Sequence, residues 1–214
     1  MKQIINLTFC IFLITSLSTH AQKYNKKYKI DYWDKGIFSF GTTASLPDYS
    51  NATSDIYVKP GVTLGLHYST YFSNYFFLNM GVEFNQLQTA FKALNTVENN
   101  YKLKESNISF PITINPILPI FKWLAVVGEV GVVYTHRLNS TIYTNVTEES
   151  ISLSNKDKSK PFKRSDIAVR CGVGFRFGKH VEIIGEGNLG LLDMDNSGSQ
   201  IYNRYGILKT NFIF

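Results

Sequence analysis

This 214-residue chain contains few of the residues that staple or activate most exported proteins. It has two cysteines, Cys10 and Cys171. Cys10 falls in an N-terminal leader, so after cleavage no intramolecular disulfide can form. Beyond the leader no run approaches the roughly twenty apolar residues of a membrane helix; even residues 123–134 carry Glu129 at their centre. The glycine pairs Gly172-Val173-Gly174 and Gly185-Glu186-Gly187 precede no helix whose N-terminus would meet a phosphate, which excludes nucleotide loops. His67, His136 and His180 lie on separate segments without ligand spacing. No serine nucleophile motif stands out, and the basic residues are not interleaved with aromatics as a nucleic-acid surface requires. Asp193-Met194-Asp195-Asn196-Ser197-Gly198 begins like a calcium loop, but Arg204 stands where the bidentate glutamate belongs. These absences predict a non-enzymatic protein with no cofactor, no metal and no nucleic-acid partner.

The leader reads MKQIINLTFCIFLITSLSTHAQ. Lys2 gives a positive start, an apolar run follows, and Thr19-His20-Ala21 supplies small residues for cleavage after Ala21. A signal peptide is therefore expected over residues 1–21. Its removal takes one lysine and lowers the formal net charge from +6 to +5. Residues 22–36, with Lys23, Lys26, Lys27 and Lys29 among Tyr24, Tyr28, Tyr32 and Trp33, read as a solvated periplasmic lead-in or a docking segment. The remaining residues, 37–214, suit one domain.

Residues 60–85 set the pattern for that domain. Val62, Leu64, Leu66 and Tyr68 share one parity, with Gly61, Thr63, Gly65 and His67 on the other. Past a turn at Ser73-Asn74-Tyr75, Phe76, Leu78, Met80, Val82 and Phe84 alternate with Asn79, Gly81, Glu83 and Asn85. A period of two means strands, and two strands around a short turn make an antiparallel hairpin. Each arm is long enough for a bilayer crossing of about nine to eleven tilted residues.

The alternation recurs to give eight strands. The first centres on Phe38 and Phe40; the fourth carries Ile108, Phe110, Ile112 and Ile114, with a bulge or bend expected at Pro111. The fifth runs over residues 123–137, the sixth from Ile167 to Phe177, the seventh from Val181 and the eighth to Phe214. Loops are expected over residues 47–57, 87–103, 138–165 and 193–203. Short connections are expected at 73–75, 116–119 and 178–180. This alternation of long and short links is that of transmembrane barrels. Phe38, Phe40, Phe72, Phe76, Phe121, Trp123, Phe175, Phe177, Phe212 and Phe214 all fall at the short-link ends, as an aromatic girdle would.

Hydrocarbon offers no partner to an unpaired backbone group, so the sheet must close, with the eighth strand against the first. The apolar parity then faces lipid and the polar parity the lumen. A soluble lipocalin-like binder would reverse these faces. The polar set, Glu83, Glu129, Arg170, Arg176, Glu182, Glu186 and Lys209, is expected to pair in a buried network, because lone charges inside would be costly. That network reads as a structural plug or as a gated ion path. The loop bearing Lys156, Lys158, Lys160, Lys163 and Arg164 reads as solvated, or as a site for lipopolysaccharide phosphates or an acidic envelope partner.

The stretches GVTLGLHYSTYFSNYFFLNMGVEF, SNISFPITI, VVGEVGVVY, DIAVRCGVGFRFG, GNLGLLDM and LKTNFIF together resemble the PorT-like outer-membrane β-barrel family of Bacteroidota-type bacteria, over residues 36–214. The resemblance implies an outer-membrane location in a Gram-negative envelope and a link to protein secretion. It transfers no site residue. The reading is an all-β, eight-stranded antiparallel up-and-down barrel in outer-membrane lipid, an anchor or accessory component of secretion or assembly. A small gated pore and a soluble periplasmic binder are the alternatives.

Overall fold

Each long segment with two-residue alternation is a strand in the computed structural model, which describes residues 35–45, 48–49, 55–92, 100–143, 148–150, 162–194 and 201–214. The expected leader and most of the lead-in lie outside these residues. Eight strands span the wall: β1 (Lys35–Ser45), β3 (Asp55–Tyr71), β4 (Phe76–Lys92), β5 (Asn100–Phe121), β6 (Leu124–Tyr143), β8 (Ser165–Phe177), β9 (Val181–Gly190) and β11 (Arg204–Ile213). Three short strands accompany them. β7 (Glu148–Ser150) pairs antiparallel with the end of β6, while β2 (Asp48–Tyr49) pairs with β10 (Ile201–Tyr202). Every neighbouring pair in the wall is antiparallel, and β11 pairs with β1 from Ile37↔Ile213 to Ser45↔Tyr205, so the sheet has no open seam.

The register fixes the shape. Following Cα partners from Lys35 through Ser69, Asn79, Thr113, Gly131, Arg170, Asn188 and Tyr205 returns to β1 at Ser45, ten residues beyond the start. Eight strands with that stagger tilt by about 40° and enclose a backbone cylinder of about 8 Å radius, given a rise near 3.3 Å and a spacing near 4.8 Å. Inward side chains fill so narrow a cylinder.

Polar residues line the inside and apolar ones the outside. Ser39, Thr63, Asn85, Ser109 and Thr113 are buried, while Leu66, Val173, Leu208 and Ile112 are half or more exposed. A soluble barrel would show the opposite, so the lipocalin-like alternative is set aside. The girdle aromatics are exposed except Phe76, which is half-buried, and Phe38–Phe212, Phe72–Phe76 and Phe121–Trp123 stack in pairs. All lie at the end with short turns, which faces the periplasm in outer-membrane barrels. At that end Gly36 and Phe214 exchange backbone hydrogen bonds of 3.1 and 3.0 Å. Gly178, at φ 60°, gives the 178–180 turn a left-handed residue that glycine adopts freely.

Several boundaries differ from the sequence reading. β4 runs on to Lys92 and β5 begins at Asn100, so most of the loop expected over 87–103 is strand; likewise β6 continues to Tyr143. Above the apolar band neither face is consistently apolar, with Leu87 and Thr89 inward and Gln88 and Ala90 outward, which erases the contrast that marks a strand. β3 begins at Asp55, inside the expected first loop. Pro116 and Pro119 are within β5, and the turn lies at 122–123, so Trp123 is a turn residue. Pro119 lies beyond the start of β4, where no strand on that side needs its missing N–H. Pro111 causes no bulge. The β4 ladder pauses between Met80↔Ile112 and Glu83↔Ser109 without changing register, and pairing with β6 continues through Pro111↔Val133. The irregularities fall at Lys59/Thr63, Ser106/Asn107 and Pro119/Phe121.

Strand length makes the rim uneven. β5, at 22 residues, stands about 55 Å along the axis, and the ten-residue β9 and β11 about 25 Å, which is the height of an outer-membrane apolar band. The side built from β3 to β6 rises well above the opposite side.

Candidate functional site

Five charged side chains from five strands meet at mid-height in the lumen: Glu83 (β4), Glu129 (β6), Arg170 (β8), Glu186 (β9) and Lys209 (β11). All occupy the inward parity, and Arg170 and Glu83 are fully buried. Arg170 grips Glu83 through two parallel bonds, Nη1 to Oε1 at 2.9 Å and Nη2 to Oε2 at 2.7 Å. This fork geometry is the strong form of a carboxylate bond. Lys209 Nζ donates to Glu83 Oε1 at 3.0 Å. Glu186 meets both cations as ion pairs, at 3.1 Å from Arg170 and 2.5 Å from Lys209. Glu129 is held least closely, 3.7 Å from Arg170 and 3.4 Å from Asn115 Nδ2. Arg170 Nε donates to Asn188 Oδ1 at 2.9 Å.

Small residues around the cluster make room for it. A Cβ at Gly172 would come within 3.0 Å of Glu186 Cγ, and one at Gly81 within 2.5 Å of the His67 ring. His67 joins the cluster from β3, with Nε2 3.0 Å from Ser39 Oγ and 3.5 Å from Glu83 Oε1. Serine, histidine and acid are thus together, but one ring nitrogen faces both partners. A proton relay needs each nitrogen to face a different one.

Arg176 and Glu182 do not join this cluster; they pair with each other nearer the short-turn end. Arg176 Nε and Nη2 donate to Glu182 Oε2 at 3.1 and 2.8 Å, and Nη1 donates to Tyr71 Oη at 2.5 Å. Asn211 Nδ2 donates to Glu182 Oε1 at 2.8 Å, and the guanidinium lies 4.9 Å from the centre of the Phe77 ring. Phe77, Ile117, Ala125 and Val127 form an apolar layer inside the barrel beside Tyr71. The lumen is therefore not polar throughout, contrary to the simple two-face expectation. Sequence reasoning missed His67, Tyr71, Phe77, Asn188 and Asn211 as members of these groups, though parity alone places each of them inward.

Toward the raised rim, Arg137 pairs with Glu105 at 3.2 Å and donates from Nη1 to Lys163 O at 3.2 Å. Lys163 donates from Nζ to Asp193 O at 2.8 Å and from its backbone N–H to Met194 O at 2.9 Å. Of the basic loop residues, Lys163 thus fastens the segment before β8 to the one after β9, and Arg164 is exposed. Lys156, Lys158 and Lys160 lie outside the described residues, as does Asp195 of the calcium-like stretch. Among the described residues no group of three histidine, cysteine or acidic side chains could hold a metal ion.

The two groups together tie β8 to β4 and to β3 across the width of the barrel. Among solved structures, the chain is similar to Ail, the attachment invasion locus protein of Yersinia pestis, at 17% identity over 86% of this chain and 100% of that one, with a TM-score of 0.41. It is also similar to the outer membrane protein OprG of Pseudomonas aeruginosa, at 14% identity, 85% and 95% coverage and a TM-score of 0.43. Neisserial surface protein A is similar at 7% identity, 84% and 97% coverage and a TM-score of 0.45. No curated protein matches the chain in sequence. The family model described as outer membrane protein beta-barrel domain matches residues 8–207, and the chain belongs to that family.

Proposed function

We propose that this protein is a closed, non-enzymatic anchor in the outer membrane, offering its raised rim to partners in the envelope. The observation that carries the reading is the fully buried Arg170–Glu83 fork with Lys209 and Glu186 packed against it. In a cylinder of about 8 Å backbone radius such a cluster leaves no continuous water path. Components of protein secretion are the partner class that the PorT-like resemblance favours, with the projecting strands β3 to β6 as the contact surface. One observation favours a gated path instead: Arg170 touches three carboxylates and has alternative acceptors if one bond breaks.

Planar-bilayer recording of the purified barrel separates these readings. The expected outcome is no steady opening in the wild type; steady openings that change with Arg170→Ala would refute the plug. Crosslinking in intact envelopes followed by affinity capture tests the secretion link. Recovery of secretion components is expected, and their absence among reproducible crosslinks would remove it.

A further inference from the structure

The outer wall of the raised side carries a row of lysines immediately above the apolar band. Lys59 on β3 pairs with Gln88 on β4, and Gln88 with Lys104 on β5. Lys102 follows on the same face, between Ala90 and Tyr143. The intervening residues point inward: Leu87, Thr89 and Glu105 are 1%, 2% and 8% exposed. Below the row the same face carries Val62, Phe84 and Phe110, each about two-fifths exposed. The wall therefore changes from hydrocarbon-compatible to polar and then cationic over about three to six residues, with the outward rung Gln86–Ser106 between the apolar strip and the lysine row on β4 and β5.

Strand spacing sets the three ammonium groups close together. Lys59 and Lys104 are two strands apart, about 10 Å between Cα atoms, and Lys102 is about 7 Å from Lys104. The cross-strand row of Lys59, Gln88, Lys104 and Thr141 contains no acid. Glu105, next to Lys104 in sequence, turns into the lumen and is taken by Arg137. Lys102 and Lys104 are half-buried, as expected when long aliphatic stems lie along the wall and carry the charge to the interface. Glu148 on β7 stands in register with Lys102 across Tyr143, so the acid-free part of the array is the Lys59–Lys104 row, which attracts a counter-anion at the level where headgroups begin.

We propose that Lys59, Lys102 and Lys104, with the amide of Gln88, form a docking site for the phosphate of an anionic glycolipid in the outer leaflet, whose acyl chains lie against Phe84 and Phe110 below. A membrane lipid fits better than a soluble anion because the cationic row and the apolar strip share one face, separated on β4 and β5 by the single polar rung Gln86–Ser106 that long lysine stems can span. The site concerns the outer wall and does not depend on whether the lumen is closed.

The test uses the full barrel folded in zwitterionic micelles, with bound lipid counted by native mass spectrometry. The probes are bisphosphorylated lipid A, the same lipid after phosphatase treatment, and inorganic phosphate. Wild type should prefer the phosphorylated lipid, and the K59Q/K102Q/K104Q variant should lose affinity on the order of a hundredfold, at about fivefold per lysine. Lys122→Gln, at the short-turn end, should bind as wild type. Equal binding of the dephosphorylated lipid, wild-type affinity in the triple variant, or displacement of the lipid by millimolar inorganic phosphate would each overturn the proposal. Heat-modifiable gel migration checks that each barrel is folded. If the triple variant is not, Gln88→Glu places one acid in the row and should weaken the phosphorylated lipid alone; unchanged binding there also overturns it.

Discussion

Replacing Arg170 by alanine should be among the most damaging single changes in this barrel. The guanidinium makes two bonds to Glu83, an ion pair to Glu186 at 3.1 Å, a longer one to Glu129 at 3.7 Å and a bond to Asn188. Counted formally, the cluster holds three carboxylates against two cations, so losing Arg170 leaves three against Lys209 alone. Removing one member of a buried pair costs about 3–5 kcal/mol, because the partner stays buried without compensation. With a urea slope of about 2 kcal/mol per molar, the unfolding midpoint in lipid vesicles should fall by about 2 M. Glu129→Gln should behave differently. It removes the surplus acid, whose contacts are the loosest of the cluster, and an amide oxygen can still accept from Asn115 Nδ2. Its stability should stay within about 1 kcal/mol of wild type, in either direction. The double variant should be less damaged than the two singles combined, by about 1 kcal/mol, because the carboxylate stranded by Arg170→Ala is then gone. A cost below about 1 kcal/mol for Arg170→Ala, or an equal cost for Glu129→Gln, would refute the view that charge balance governs this cluster.

The outer wall and the glycines give two further tests. Leu208 is 59% exposed on the apolar face of β11, so Leu208→Arg should cost about 2–4 kcal/mol in a bilayer, read from the same urea titration; a neutral result would mean that this face does not meet hydrocarbon. Gly172→Ala puts a methyl within 3.0 Å of Glu186 Cγ and of Gly185 O, and should destabilise by about 1–3 kcal/mol, whereas the outward Gly187, whose nearest neighbour to a new methyl is 3.9 Å away, should accept alanine with a change under about 1 kcal/mol.

Parity carried most of the fold in the sequence. Inside the apolar band the two faces differ sharply, so Leu64 against Thr63 or Val173 against Gly172 identifies strand, face and lumen together. The signal failed where the solvent changes. From Leu87 to Lys92 the outward residues are Gln88 and Ala90 beside inward Leu87 and Thr89, a pattern that reads as loop because neither face is consistently apolar. Pro116 and Pro119 misled in another way: Pro119 lies beyond the start of β4, and Pro116, still paired with Phe76, falls where the β5–β6 ladder skips between Ile114↔Val130 and Ile117↔Val127. At the site, parity marks which charges face inward but not their heights. Arg176 and Glu182 share a parity with Arg170 and Glu186 but lie nearer the 178–180 turn on the same two strands, and which residues of the other strands meet each level depends on a stagger that parity does not reveal. Phe77 escaped notice, and Val127 only blurred the contrast of its strand, because an apolar residue on the lumenal parity contradicts the binary rule. They pack where the Arg176–Glu182 pair already meets the polar requirement of that layer.

The paired backbone bonds between Gly36 and Phe214 hold the first and last strands of the wall together at the short-turn end, as closely as a covalent turn would. A circular permutant made without the residues before Gly36, joining Gly36 and Phe214 by a short linker and opening the chain within residues 178–180, would retain the inward contacts described above, while moving a fused tag or reporter to a different point on the same face of the membrane.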